Sequence, residues 1–177
     1  MLESFQCVAT IPNGNRCKRI CVLGENLCWA HLLSLKHLRI LKSTVANAGS
    51  GLFAMDKSKE KGEIVFKKGD MICEYLGEKI DKEELIRRYG EYTAPYGVQL
   101  KNGVYIDAAG ERGYCSLCNQ ARTFSQASAH LVANWTSKPQ KVQLKAVKNI
   151  KNGDEILTWY GKDYDMNETH STKYVKT

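Results

Sequence analysis

Beyond Thr44 the chain is built from short apolar runs separated by glycine-bearing turns, and this punctuation limits the fold more than any other feature. Runs at 51–55, 63–66, 71–75, 96–100, 104–107, 130–134, 142–146 and 155–158 each have strand length and composition. One helix interrupts them. Asp81 stands as its cap, Glu84 falls at the third position of a capping box, Leu85, Ile86 and Tyr89 face inward, and Gly90 ends it. Another helix is read over 29–41, where Leu32, Leu33, Leu35, Leu38 and Leu41 give a broad apolar face. The expected fold is therefore mostly β, a β-rich α+β chain. A length of 177 residues suits one compact domain with a small appendage. A hydrophobic fraction of 43% is enough for a packed core, and no apolar run approaches the roughly 20 residues that span a bilayer.

The first 31 residues have a different texture, rich in cysteine and in turn signals such as Pro12-Asn13-Gly14. Cys7, Cys17, Cys28 and His31 follow the spacing C-x9-C-x10-C-x2-H. Zinc takes four such ligands in a tetrahedron, and Cys3His is one of its closed structural sets. Cys28 and His31 stand at the start of the first helix, which presents both on one side, and Gly14 and Gly24 fall in the intervening loops. A module of about thirty residues buries too little surface to fold alone, so a metal is its natural staple. Cys21 is the alternative ligand, and free thiols beside a surface histidine are the competing reading. Cys73, Cys115 and Cys118 read as core or near-site thiols.

The N-terminus lacks the basic-then-apolar pattern of a secretory signal. The seven cysteines then point to a reducing, intracellular compartment. The net charge of +7 is uneven: residues 1–42 hold six basic side chains against Glu3 and Glu25, while 43–177 carry 20 basic and 17 acidic groups. The excess in the first quarter fits an anionic partner, nucleic acid or an acidic protein face, as well as plain solvation.

Four fragments then occur in order. They are Gly49-Ser50-Gly51-Leu52-Phe53-Ala54, Glu74-Tyr75-Leu76-Gly77-Glu78, Tyr105-Ile106-Asp107-Ala108 with Asn119 beyond it, and the run from Val147 through Gly153-Asp154-Glu155 to Tyr160-Gly161. The first precedes a strand and not a helix, which argues against a dinucleotide or phosphate loop. Together the four resemble a SET domain over 38–164, the family of protein lysine methyltransferases.

That resemblance implies small curved sheets with a knot-like crossing of the Asn119 and Tyr160 segments. It divides the chain into a zinc module with linking helix (1–37), the SET domain (38–164) and a tail (165–177). It implies S-adenosylmethionine held by Gly49, Ser50, Gly51, Leu52, Asn119 and Gln120, with Tyr160 beside the transferring methyl and Tyr75 in the lysine channel. Asp107 would stabilise the fold near the site. The partner implied is a protein with a target lysine, a histone tail by default, which would make the protein nuclear. Ordinary β-core packing is the alternative for Tyr75 and Tyr160.

The chain departs from the family pattern in places. Asn119-Gln120-Ala121-Arg122 stands where the family commonly has Asn-His-Ser-Cys, and Thr158 stands where an aromatic often limits methyl number. No cysteine follows Cys118, so Tyr164 and the tail are left to close the channel. The rival reading is a non-catalytic SET-like module that recruits nucleic acid or protein through its basic zinc region.

Overall fold

The computed structural model describes residues 6–21, 26–90, 94–134 and 139–161. The expectations for Gly24, Tyr164 and the 165–177 tail fall outside them. Among the described residues no helix is long and apolar enough to cross a membrane.

Helix α1 (Trp29–Lys36) starts at Cys28 and ends sooner than its leucines imply. His37 takes a left-handed conformation (φ 54°, ψ 37°), and its amide donates back to Leu33 and Leu32. The chain then leaves as strand β1 (Leu38–Lys42), paired antiparallel with β2 (Ser50–Ala54) from Leu38↔Ala54 to Lys42↔Ser50. Leu38 and Leu41 therefore belong to a strand. The alternation of buried Leu38 and Ile40 with exposed Arg39 has the period of a strand, not of a helix. Helical propensity is a weak prior, and the β2 ladder overrides it.

Next come β3 (Ile64–Phe66), β4 (Met71–Glu74) and β5 (Glu78–Asp81), then α2 (Lys82–Tyr89). Asp81 caps α2 by accepting the Glu84 amide at 2.8 Å. Glu84's own carboxylate pairs with Arg87 and Arg88. Contrary to the expected inward face, Ile86 is exposed, and Leu85 and Tyr89 are half-buried. Helix α2 is held by charge. Arg88 bridges Glu78, Glu84 and the buried Asp107, which also accepts the Tyr89 hydroxyl at 2.8 Å.

The remaining strands are β6 (Gly97–Gln99), β7 (Val104–Asp107), β8 (Ala129–Asn134), β9 (Lys141–Ala146) and β10 (Ile150–Lys151). They build sheets in the orders β4-β9-β8 and β5-β7-β6, while β10 pairs with β3. On β9, Val142, Leu144 and Ala146 are buried and alternate with Lys141, Gln143 and Lys145, the pattern of a central strand with one face on the core. Leu32, Leu38, Leu52, Leu144, Ile150 and Ile156 meet in one core, each worth about 1.5–3 kcal/mol of burial. A separate small cluster joins Cys7, Ala9, Cys17 and Cys28. Helix α1 links the two, since Leu32 lies in the first and Cys28, its N-cap, in the second.

Residues 155–158, expected to be a strand, form no regular ladder. The Ile156 amide bonds Leu52 O at 2.7 Å, but by Thr158 the partner is the 119–121 segment, through Thr158 N to Asn119 O at 2.9 Å and Ala121 N to Thr158 O at 2.7 Å. The pairing switches from antiparallel (Phe53↔Glu155) to parallel (Gln120↔Thr158) within four residues. This is the expected meeting of the Asn119 and Tyr160 segments, and the sheets are those of a mostly β fold.

Candidate functional site

The β1–β2 hairpin, the 119–121 segment and the Asp154–Glu155 turn converge on one carboxylate. Glu155 Oε1 accepts from Ser43 Oγ at 2.7 Å and Asn119 Nδ2 at 3.1 Å, and Oε2 accepts from the Thr44 amide at 2.7 Å and from the Thr44 hydroxyl. Burial opposes its charge, yet these donors hold Glu155 below the usual carboxylate range. Asn119 Nδ2 also reaches Ser43 Oγ at 3.0 Å and the Ser50 carbonyl at 2.9 Å. Its donor side is thus engaged in orienting the Gly49–Leu52 strand entry. Glu155, Ser43 and Thr44 form the hub, and none was singled out by sequence reasoning. The signal available was the carboxylate of the Gly153-Asp154-Glu155 turn.

Two glycines explain why this entry is glycine-rich. Gly49 turns the chain at φ +70°, a region costly for other residues. At Gly51 a Cβ would lie 2.1 Å from Glu155 Oε1, so only glycine lets the carboxylate approach the backbone. Ser50 is exposed at the start of β2. Leu52 points into the core and its carbonyl is taken by Ile156, so its side chain belongs to packing. Gln120 Oε1 is a buried acceptor with no hydrogen-bond partner among the described residues.

Beside this cluster lies a cavity of about 280 Å³ whose walls include Tyr75, Tyr96, Leu131, Thr158, Trp159 and Tyr160. Cys118 lines it as well and Asn119, next in sequence, belongs to the cluster, so the two meet at Cys118–Asn119. Tyr160 Oη donates to the Cys118 carbonyl at 2.9 Å, and Tyr75 Oη to the Tyr96 carbonyl at 3.0 Å. Burial pushes the Tyr75 phenol far up, so it stays neutral at any physiological pH. Thr158 is fully buried on this wall, and its Oγ1 has no hydrogen-bond partner among the described residues. Asp107 lies behind, beyond the cavity wall, accepting Arg88, Tyr89 and the Ala109 amide. Gly77 packs against it so closely that a Cβ there would meet the Asp107 carbonyl oxygen at 2.6 Å.

The four N-terminal residues also come together, with ligand atoms all within 4.8 Å of one another. His31 Nδ1 lies 3.3 Å from Cys7 Sγ and 3.4 Å from Cys28 Sγ, and Cys17 Sγ lies 4.0 Å from Cys28 Sγ. With Zn–S near 2.3 Å and Zn–N near 2.0 Å, a tetrahedral zinc sets edges of about 3.8 Å between sulfurs and about 3.6 Å from sulfur to nitrogen. The quartet fits. The Cys28 amide donates to Cys7 Sγ at 3.3 Å, a contact that steadies a thiolate. Burial raises the Cys28 thiol, but the amides of His31 and Ala30 at the helix start, together with hydrogen bonds to Cys7 and Cys17, outweigh it and bring it down to about 6. Cys21 is half-buried against the cluster and outside the quartet. Arg16, one of the six basic side chains of residues 1–42, turns onto the carbonyls of Cys7 (2.9 Å) and Gln6 (2.7 Å) and stitches the module.

A family model described as "SET domain" matches residues 49–161. The histone-lysine N-methyltransferase, H3 lysine-36 specific, of Yarrowia lipolytica is 30% identical over 101 residues, 54% of this chain and 13% of that protein. The histone-lysine N-methyltransferase mes-4 of Caenorhabditis elegans is 29% identical over 133 residues, 67% of this chain and 14% of that protein. Among solved structures, ctPRC2 in an autoinhibited conformation bound to S-adenosylmethionine aligns at a TM-score of 0.59 with 26% identity, over 73% of this chain and 16% of that one. This chain therefore spans about a seventh of the curated relatives it matches. With well over half of its residues covered by the model, the chain belongs to the SET-domain family.

Proposed function

We propose that this chain transfers methyl groups from S-adenosylmethionine to a protein lysine, a histone lysine by analogy with its relatives, and works in the nucleus. The observation that carries the reading is the junction at Cys118–Asn119 of a polar cluster and a tyrosine-walled cavity. The family match, the names of the relatives and the cofactor bound to the structural neighbour support it.

When bound, S-adenosylmethionine supplies an electrophilic methyl on a sulfonium. The backbone of Gly49–Leu52 and the residues Asn119 and Gln120 would hold it; the unpaired Gln120 Oε1 is the kind of acceptor a bound N–H satisfies. The cavity suits one long aliphatic side chain. Removing a lysine ammonium from water into this enclosure favours its neutral, nucleophilic form. Tyr75 and Tyr160, each fixed by a backbone carbonyl, orient the amine for in-line attack. No side chain of abnormal basicity is needed.

Cys7, Cys17, Cys28 and His31 hold one structural zinc that secures the 1–37 module against the 38–164 domain. Incubating the chain with S-adenosylmethionine and histone octamers, then measuring intact masses, tests the enzymatic reading. Gains of whole methylene units on histone support it. A chain that binds the cofactor product but methylates no histone or other protein contradicts it.

A further inference from the structure

A second concavity, of about 640 Å³, lies away from the tyrosine-walled cavity, where the metal module meets the β1–β2 hairpin. Its lining combines Ile20, Trp29 and Leu33 with three cations, Arg19, Arg39 and Lys57. Ile20 is 55% and Trp29 50% exposed, although the core fully buries other isoleucines such as Ile150 and Ile156. Among the described residues, Arg39's guanidinium finds as a side-chain hydrogen-bond partner only the Met55 sulfur, at 3.8 Å. Among the described residues, no carboxylate lies within 4.0 Å of Arg19, Arg39 or Lys57. Asp56, next in sequence to Lys57, is engaged by His37 at 3.4 Å and by Ser58.

The catalytic reading uses none of these residues. We propose that this cleft is a docking site for an acidic protein segment bearing a large apolar side chain, which seats on Trp29 and Ile20 while its carboxylates meet the three cations. The chemistry favours a peptide over nucleic acid. Phosphate backbones need charge but no apolar floor, and a concave apolar floor rimmed by cations matches an anchor residue flanked by carboxylates. The three cations come from three separate stretches of chain, before α1, on β1 and after β2, so the rim exists only in the folded protein.

The test uses the full zinc-loaded chain and three fluorescent probes: a random copolymer of glutamate and tyrosine, polyglutamate of equal length, and an oligothymidine of equal charge. Anisotropy titration is expected to show saturable binding of the copolymer, with the other two weaker by about tenfold or more. Trp29→Ala and the pair Arg39→Glu, Lys57→Glu should each weaken the copolymer by about tenfold or more. Zinc content and histone methylation rate should stay at the wild-type level. Equal or tighter binding of oligothymidine or polyglutamate would overturn the proposal, as would copolymer binding that survives both variants, or no saturable binding at low salt. Methylation is read separately, so failure here leaves the enzymatic reading standing, and loss of methylation alone leaves this one standing.

Discussion

Around Cys28 the fold rests on a few sulfur and nitrogen atoms; around Leu144 it rests on a continuous apolar interior. The module's own cluster is little more than Cys7, Ala9, Cys17 and Cys28, with Arg16 tying carbonyls together from outside. The β-rich body buries leucine, isoleucine and valine from six strands and α1. On the proposed zinc reading, ligand chemistry sets the structure of the first region; in the second the hydrophobic effect sets it and polar atoms only aim it. One consequence is that the two should fail under different insults.

The largest effect expected is on the module. Structural zinc supplies on the order of 10–16 kcal/mol to small metal-folded units. Chelation, or Cys28→Ser, should abolish zinc content and bring amide exchange over 6–36 to unfolded rates, while strands β4, β8 and β9 stay protected. A module that remains protected without metal would break the contrast.

Gly51→Ala probes the polar hub within the apolar body. The added Cβ would displace the Glu155 carboxylate from Ser43, Thr44 and Asn119, leaving groups unpaired at about 1–3 kcal/mol. Thermal melting should fall accordingly, with cofactor affinity falling alongside. Unchanged melting would mean the hub contributes nothing to the fold.

A smaller effect follows from Glu155's lowered pKa. Its stabilisation is present above the unfolded value near 4.5 and is lost as pH falls through the lower folded value. The melting difference between wild type and Glu155→Gln should therefore be constant at neutral pH and vanish in acid. A difference independent of pH would remove charge from the explanation. Smallest of all, Cys21→Ser should keep its zinc and change stability within about ±0.5 kcal/mol. Loss of zinc there would redraw the quartet.

The same contrast governs what could be read in advance. Ligand types at fixed spacing pointed to Cys7, Cys17, Cys28 and His31, whose ligand atoms the fold brings within 4.8 Å of one another. The glycines and tyrosines were legible through motif order, which brought Gly51, Asn119 and Tyr160 into one neighbourhood. What escaped was decided by tertiary partners. The end of α1 at His37 depends on β2 drawing Leu38–Lys42 into a ladder. The irregular 155–158 segment depends on two unrelated neighbours. Glu155's role as hub depends on Ser43, more than a hundred residues away. No local pattern carries such information.

We propose that methyl transfer occurs in the cavity beside Asn119 and that Tyr160 orients the reaction. Tyr160→Phe removes one hydroxyl and its bond to the Cys118 carbonyl while keeping packing volume. Single-turnover methylation and thermal melting should be run on the same preparation. We predict a rate lower by about a hundred- to a thousand-fold, equivalent to roughly 2.7–4 kcal/mol in the transition state, with melting nearly unchanged. A variant that melts earlier yet methylates at the wild-type rate would contradict the claim and return Tyr160 to the role of a packing residue.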